Sequence, residues 1–131
     1  MSGTNDMSNK VLVVDDEPDF CEALRDFLGS KGYEVAIALS GEEALLAYMQ
    51  EKPDVVLLDM MMPGMSGLVT LRELKGLDQG ANVIMVTAVH EEDIAKQAMA
   101  EGAFDYITKP VNRDYLELVI LTKIILLEGD E

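Results

Sequence analysis

Residues 55–67 read VVLLDMMMPGMSG, and this stretch decides the fold of the chain. Its first four residues are apolar, which indicates a short strand that is buried on both faces of a sheet. The strand ends at Asp59, and Pro63 and Gly64 mark the loop that follows it. Because ligands of open α/β sheets bind outside the carboxyl ends of the strands, Asp59 is a candidate reactive group held on a rigid element.

The composition is that of one acidic globular domain. The chain has 131 residues, of which 49% are hydrophobic and 27% are charged. Its 25 acidic and 10 basic residues give a formal net charge of −15, which repels phosphate backbones and anionic lipids. We therefore expect this domain to bind neither nucleic acid nor membranes, whereas divalent metals stay candidate ligands. A lone cysteine, Cys21, and the lack of a long apolar run or a signal-like start predict a soluble, cytoplasmic protein.

Four more segments show the same succession of an apolar strand and an amphipathic helix. Strands are predicted at residues 10–14, 33–38, 82–87 and 104–108, and helices begin near Pro18, Ser40, Leu68, Glu91 and Asn112. Phe20 and Tyr48 belong to the apolar stripes of the first two helices, and Ser40 with Glu43 forms a capping-box signature.

The connections between these segments are too short for anything but parallel strands with crossover helices. The predicted fold class is therefore α/β: a doubly wound, five-stranded parallel sheet of the (βα)5 type, with helices on both faces. We expect the domain to cover residues 10–127. A flexible N-terminus is expected at 1–9, and a tail or the start of a linker at 128–131.

Four of the five predicted strands lead into polar side chains. Asp15 and Asp16 follow the first strand, Asp59 follows the third, Thr87 ends the fourth, and Lys109 follows the fifth. The carboxyl ends of parallel strands lie at one edge of the sheet, so these side chains should converge. Any one acid would be adequately explained as a turn or cap residue, but the joint placement predicts a site.

The acids at this edge predict a metal site. Three crowded carboxylates repel one another unless a cation is bound between them. Mg²⁺, or Mn²⁺ in its place, fits these oxygen ligands, with Asp16 and Asp59 as ligands and Asp15 assisting. No cluster of His and Cys is present for zinc, since His90 is the only histidine.

Lys109 and Thr87 complete the predicted chemistry. A metal, an ammonium group and a hydroxyl around Asp59 could neutralise the oxygens of a phosphoryl group while Asp59 attacks it in line. The residues therefore predict the formation and hydrolysis of an aspartyl phosphate.

From residue 10 to about residue 127, the chain resembles a response-regulator receiver domain of two-component signalling. The motifs that carry the resemblance are VVDDEP at residues 13–18, DMMMPGMSG at 59–67, VTA at 86–88 and YITKP at 106–110. The resemblance implies the strand order 2-1-3-4-5. It also implies that Asp59 accepts phosphate from a sensor histidine kinase or a histidine phosphotransfer protein.

Further roles follow from the same resemblance. The backbone oxygen of Met61 would join Asp15, Asp16 and Asp59 around the metal, with Asp15 acting largely through metal-bound water. Lys109 would pair with the phosphoryl group, and the peptide bond between Lys109 and Pro110 is expected to be cis.

The resemblance also implies a conformational switch. Thr87 would move toward the phosphoryl group and Tyr106 would swing inward behind it, which changes the face made by the fourth helix, fifth strand and fifth helix. The protein would then be a phosphoacceptor switch that catalyses only its own phosphorylation and dephosphorylation, with no organic cofactor. Met61 and Val89 are apolar where the attacking water should pass, so slow self-hydrolysis is expected.

The last helix is apolar on both sides. One face carries Leu116, Val119, Ile120, Ile124 and Leu127, and the other carries Leu118, Leu121, Ile125 and Leu126. Because such a helix is normally covered all round, we expect a homodimer through this helix or a neighbouring, downstream domain that covers it. Surface leucines on a monomer are the alternative.

Two other functions are alternatives to the switch: a phosphohydrolase and a flavin-binding protein. A Mg²⁺-dependent phosphohydrolase with an aspartyl nucleophile would need a second acid two residues after Asp59, where Met61 stands. A flavin-binding relative of the same topology would need a loop rich in glycine and hydroxyl groups after the first strand, and Asp15 to Pro18 is not such a loop. The domain is either a stand-alone protein or part of a longer regulator or hybrid kinase, and its residues identify neither the kinase nor the output target.

Overall fold

A computed structural model describes residues 9–129 of the chain. It contains one parallel sheet of five strands in the order β2-β1-β3-β4-β5, as expected. The strands are β1 (Lys10–Val14), β2 (Glu34–Ala38), β3 (Val55–Leu58), β4 (Val83–Thr87) and β5 (Asp105–Thr108). The helices are α1 (Pro18–Ser30), α2 (Gly41–Glu51), α3 (Gly67–Leu77), α4 (Glu92–Ala100) and α5 (Arg113–Gly129). The expectations for residues 1–8 and for the end of the tail at 130–131 lie outside the described residues.

Side chains of β1 alternate between two hydrophobic clusters, one on each face of the sheet. Leu12 and Val14 pack with residues of α2, α3 and α4, whereas Val11 and Val13 pack with residues of α1 and α5. The five helices thus cover both faces, which explains why the central strands β1, β3 and β4 are nearly continuous apolar runs. The doubly wound α/β prediction is confirmed.

Local hydrogen bonds set the ends of the elements. The hydroxyl of Ser40, the N-cap of α2, accepts from the Glu43 N–H at 3.1 Å. The Glu43 carboxylate accepts from the N–H of Leu39, the residue before the N-cap, at 2.9 Å, so α2 begins with a variant of the capping box. The sequence predicts Tyr33 in the second strand, but β2 begins one residue later. The Tyr33 N–H instead donates to the Leu28 carbonyl at 3.1 Å and closes the end of α1.

The two apolar faces of α5 differ in burial. Leu116, Val119, Ile120 and Ile124 are buried against the sheet, while Leu118, Leu121, Ile125 and Leu126 are exposed. The side chain of Leu127 lies outside the described residues. Within the described part of the chain, none of the helices combines the length and the apolar character needed to cross a bilayer.

Candidate functional site

The structure brings the three predicted acids together at the carboxyl edge of the sheet. Asp15 follows β1 and Asp59 follows β3, and both are buried, whereas Asp16 is partly exposed. One carboxylate oxygen from each of Asp15, Asp16 and Asp59 lies within 4.8 Å of the others. This set of three carboxylates, with no nitrogen or sulfur ligand in the group, fits a hard divalent cation.

Backbone hydrogen bonds hold Asp15 and Asp59 in place. The Asp59 N–H donates to the Val14 carbonyl at 3.0 Å, which ties the end of β3 to the end of β1. The Asp15 carboxylate accepts from the Glu17 N–H at 2.9 Å, and the Asp59 carboxylate accepts from the Met61 N–H at 3.3 Å. The two acids are therefore positioned by the sheet and by the turns that follow each strand.

Lys109 reaches this cluster from the end of β5. Its Nζ lies 2.7 Å from Asp15 Oδ2 and 3.8 Å from Asp59 Oδ2. The peptide bond between Lys109 and Pro110 is cis, as the resemblance implied. A single ammonium group thus lies between the carboxylates of two strands.

The charges in the site are incompletely balanced. Burial raises the pKa of Asp15, although the hydrogen bonds from Lys109 and from the Glu17 N–H oppose the rise. Burial acts to lower the pKa of Lys109, but the hydrogen bond to Asp15 and the charges of Asp15, Asp59 and Glu17 raise it overall. The ammonium group of Lys109 contacts only two of the three clustered carboxylates, so a divalent cation would relieve their repulsion.

Thr87 and Tyr106 are both bound to the backbone of Val89. The buried Thr87 hydroxyl accepts from the Val89 N–H at 3.3 Å, and the Tyr106 hydroxyl donates to the Val89 carbonyl at 2.9 Å. Burial, followed by the charges of Glu91 and Asp59, raises the pKa of Tyr106. The hydroxyls of β4 and β5 are therefore linked through one residue of the loop between β4 and α4.

The loop after Asp59 is closed by Gly67, the first residue of α3. Its N–H donates to the Met60 carbonyl at 2.9 Å. Met60 and Met62 are nearly buried, while Met61 between them is 66% exposed. The side chain of Met61 is therefore exposed to solvent. Its backbone oxygen, the predicted metal ligand, belongs to the loop that follows Asp59.

Sequence reasoning missed two neighbours of Lys109. The ring of Phe20 lies below the ammonium, with 4.1 Å from Nζ to the ring centroid, and Glu17 Oε1 lies 3.5 Å from Nζ. Because Phe20 fits the apolar stripe of α1, the sequence did not predict its contact with Lys109. The only available signal was the position of an aromatic residue four residues after Asp16.

The sequence and the fold match known proteins over most of the chain. The family model described as the response regulator receiver domain matches residues 11–121. The regulatory protein AtoC of Escherichia coli strain K12 is 38% identical over 112 residues, which cover 86% of this chain and 24% of AtoC. The sporulation initiation phosphotransferase F of Bacillus subtilis strain 168 is 36% identical over 108 residues, covering 82% of this chain and 87% of that protein.

A solved structure supports the same relationship. A chain of the crystal structure of the CheX–CheY–BeF3–Mg²⁺ complex from Borrelia burgdorferi superposes with a TM-score of 0.85 at 30% identity, covering 93% of each chain. In contrast, the chain spans only about a quarter of the length of AtoC.

Proposed function

The chain belongs to the response regulator receiver family, and we propose that it is a phosphorylation-activated signalling switch that accepts a phosphoryl group on Asp59. The observation that carries the proposal is the position of Asp59. Its carboxylate lies 3.8 Å from the Lys109 ammonium and belongs to the cluster of three acids. A nucleophile, a cation and a metal-ligand set are thus present within one site.

Asp15, Asp16, Asp59 and the backbone oxygen of Met61 would hold Mg²⁺, or Mn²⁺ in its place. When bound, this ion would neutralise charge that develops on the phosphoryl oxygens. The similar chain from Borrelia burgdorferi was solved in a complex with Mg²⁺ and BeF3, which supports this choice of metal.

The residues of the chain have separate parts in phosphoryl transfer. A carboxylate oxygen of Asp59 forms the new bond to phosphorus, while the bond from phosphorus to the donor's histidine nitrogen breaks. Lys109 already lies between Asp15 and Asp59, so a small movement of its ammonium would bring it to the phosphoryl oxygens. The Met61 N–H, which binds the Asp59 carboxylate, would keep that carboxylate oriented.

Phosphorylation would change the surface of the domain through three linked residues: Thr87, Val89 and Tyr106. If the Thr87 hydroxyl turns toward the phosphoryl group, it gives up the hydrogen bond from the Val89 N–H. The Val89 carbonyl in the same loop accepts a hydrogen bond from the Tyr106 hydroxyl. A movement of this loop would therefore reach the face formed by α4, β5 and α5. The phosphoryl group can favour the active form only through such differential contacts.

A sensor histidine kinase or a histidine phosphotransfer protein is the proposed phosphoryl donor. The name of the Bacillus relative, a phosphotransferase, is consistent with a role in a phosphorelay. We place this exchange in the cytoplasm, and we expect the strongly acidic domain itself to leave nucleic acid unbound. The exposed face of α5 is proposed to be covered by a second copy of the chain or by a downstream domain.

The proposed activity is limited to the chain's own phosphorylation and dephosphorylation. The exposed Met61 side chain and the apolar Val89 offer no acid or base to a water that attacks the aspartyl phosphate. Slow self-hydrolysis is therefore expected. The phosphohydrolase alternative lacks a general acid at the same position.

The proposal is tested by incubating the protein with acetyl phosphate and Mg²⁺ and measuring the mass of the intact chain. We expect one phosphoryl group per chain, which is lost in Asp59→Asn and after chelation of the metal. Asp54→Asn is the matched control, since Asp54 lies before the same strand and accepts a hydrogen bond from the Lys10 N–H instead. Labelling of the Asp59→Asn variant would contradict the proposal, and multiple turnover of a phosphomonoester would favour the phosphohydrolase.

A further inference from the structure

Phe20 makes a close cation–π contact with the lysine of the proposed site. Lys109 Nζ lies 4.1 Å from the centroid of the Phe20 ring, which is within the range of an attractive contact. Three other contacts of this kind exist among the described residues, and each is longer. They join Lys123 to Phe104 at 4.6 Å, Lys31 to Phe27 at 5.6 Å and Arg113 to Phe27 at 5.7 Å.

The ring and the carboxylates surround the ammonium of Lys109. Asp15, Glu17 and Asp59 supply oxygens at 2.7, 3.5 and 3.8 Å, and the Lys109 side chain is only 16% exposed. An aromatic face attracts a cation but takes no strong hydrogen bond from it, so the N–H groups stay directed to oxygen acceptors. The ring can therefore hold the ammonium without competing with the site for its donors.

A cavity beside this contact shows where the lysine could go without the ring. The cavity has a volume of about 290 Å³ and is lined by Phe20, Ala23 and Lys109, together with Pro110 and residues beyond it. A lysine side chain has a flexible four-carbon stem, and its ammonium group is stabilised by contact with water. A smaller, non-aromatic side chain at position 20 would leave room for the ammonium to turn away from Asp59.

We propose that Phe20 is a positioning residue that keeps the Lys109 ammonium beside Asp59 for phosphoryl transfer. The inference rests on the proposed function and adds to it a residue of α1 that touches neither the phosphoryl group nor the metal. In the reaction with acetyl phosphate, the bond from phosphorus to the acetyl oxygen breaks, acetate leaves, and a bond to an Asp59 oxygen forms. Phe20 acts through Lys109, which neutralises the phosphoryl oxygens during this exchange.

The test measures phosphorylation by acetyl phosphate at saturating Mg²⁺ in Phe20 variants. Phe20→Leu keeps an apolar side chain but removes the aromatic face, and we expect the phosphorylation rate to fall about three- to ten-fold. Phe20→Tyr keeps the face and should stay within about two-fold of the wild type. Phe27→Leu is the matched control on the same helix, because its ring faces Lys31 and Arg113 and not the site.

A second set of variants separates the electrostatic role of the ring from its packing. Site-specific replacement of Phe20 by fluorinated phenylalanines of increasing fluorine content keeps the ring shape and progressively weakens its attraction for a cation. We expect the phosphorylation rate to fall with each step while the urea unfolding midpoint stays nearly constant. Equal rates across this series would overturn the inference, as would equal losses in Phe20→Leu, Phe20→Tyr and Phe27→Leu.

An NMR measurement tests the contact without any phosphorylation. The ring current of Phe20 should shift the ε-methylene protons of Lys109 upfield in the wild type and in Phe20→Tyr, and the shift should vanish in Phe20→Leu. If the wild type shows this shift but takes no phosphoryl group from acetyl phosphate, the proposed function fails and the contact stands. If the wild type is phosphorylated but shows no shift, the inference about Phe20 fails alone.

Discussion

Gly67 lies so close to Asp59 that a β-carbon added to it would stand 2.0 Å from the Asp59 carbonyl oxygen. The same β-carbon would stand 2.5 Å from Met60 Cα, so the neighbouring atoms belong to the backbone and have little freedom to move. The contact joins the first residue of α3 to the end of β3. It allows the loop after Asp59 to close tightly against the helix.

Gly67→Ala should destabilise the protein by about 1–3 kcal/mol or more, because the loop or the helix must shift to admit a methyl group. Gly76→Ala, in the same helix, is the control. Apart from the adjacent backbone of its own helix, no atom lies within 4 Å of the β-carbon position of Gly76, and alanine should stabilise the helix by about 0.5–1 kcal/mol. Urea unfolding of both variants measures the difference. Equal stability of the two would show that the loop around Asp59 adjusts freely.

The two faces of α5 allow a second matched comparison. Ile124 is 4% exposed and packs against the sheet, whereas the adjacent Ile125 is 57% exposed. Ile124→Ala should lower the free energy of unfolding by about 2–4 kcal/mol, and Ile125→Ala by about 0.5 kcal/mol or less in a monomer. Light scattering on the same samples tests the proposed homodimer, since Ile125→Ala should weaken association through the exposed face. A protein that is monomeric in both states, with and without BeF3, would exclude a dimer through α5.

Tyr48 and Asp78 join α2 to the end of α3. The Tyr48 hydroxyl donates to Asp78 Oδ2 at 2.7 Å, and this hydrogen bond, together with the one from the Gly80 N–H, lowers the pKa of Asp78. A lowered carboxyl pKa contributes stability above the unfolded-state pKa, and that stability is lost as pH falls through the folded-state pKa. Burial and the same hydrogen bond raise the pKa of Tyr48, so its contribution is lost only at strongly alkaline pH.

Tyr48→Phe should therefore reduce stability at neutral pH by up to about 1 kcal/mol, since Asp78 is largely solvated. The difference from the wild type should shrink as the pH falls below the ordinary range of an Asp. Carboxyl NMR should show the pKa of Asp78 rising in this variant. Tyr33→Phe is the control, because the Tyr33 hydroxyl makes no hydrogen bond within residues 9–129. An unchanged pKa of Asp78 in Tyr48→Phe would contradict the assignment.

Cys21 is expected to be chemically inert in the folded protein. Its buried thiol donates to the Asp15 carbonyl at 3.3 Å, and burial, followed by the charge of Asp15, raises its pKa to about 11. At pH 8 only about one thiol in a thousand would then be ionised. Reaction with a disulfide reagent should be at least about 100-fold slower than in urea, and Cys21→Ser should give no reaction. Labelling of the native protein at the rate of a free thiol would show that α1 opens readily from the sheet.

The fold was predictable because its central strands are apolar on both faces. Runs such as residues 11–14 and 55–58 show strands directly, and the polar residues after them show which edge carries the site. Pattern alone did not supply the order of the strands, which came from the resemblance. β2 was the weakest prediction, since only its last residue, Ala38, is buried.

Side-chain contacts between distant elements were less predictable. Tyr48 and Phe20 both fit the apolar stripe of a helix, but their polar or aromatic groups reach Asp78 and Lys109 across the structure. A periodic pattern indicates which side of a helix is buried. It does not indicate which side-chain atom at the edge of the core contacts a charged group. The hydrogen bonds of Val89 could not be predicted either, because they use its backbone N–H and C=O and would form with almost any residue type.

Val89 contributes different groups to two tasks. Its backbone N–H and C=O hold the hydroxyls of Thr87 and Tyr106, while its side chain is expected to border the path of the attacking water. Any substitution at residue 89 other than proline would keep both backbone groups and change only the side chain. Under the proposed function, the lifetime of the phosphorylated state and its transmission to the surface would therefore vary independently, although both involve Val89.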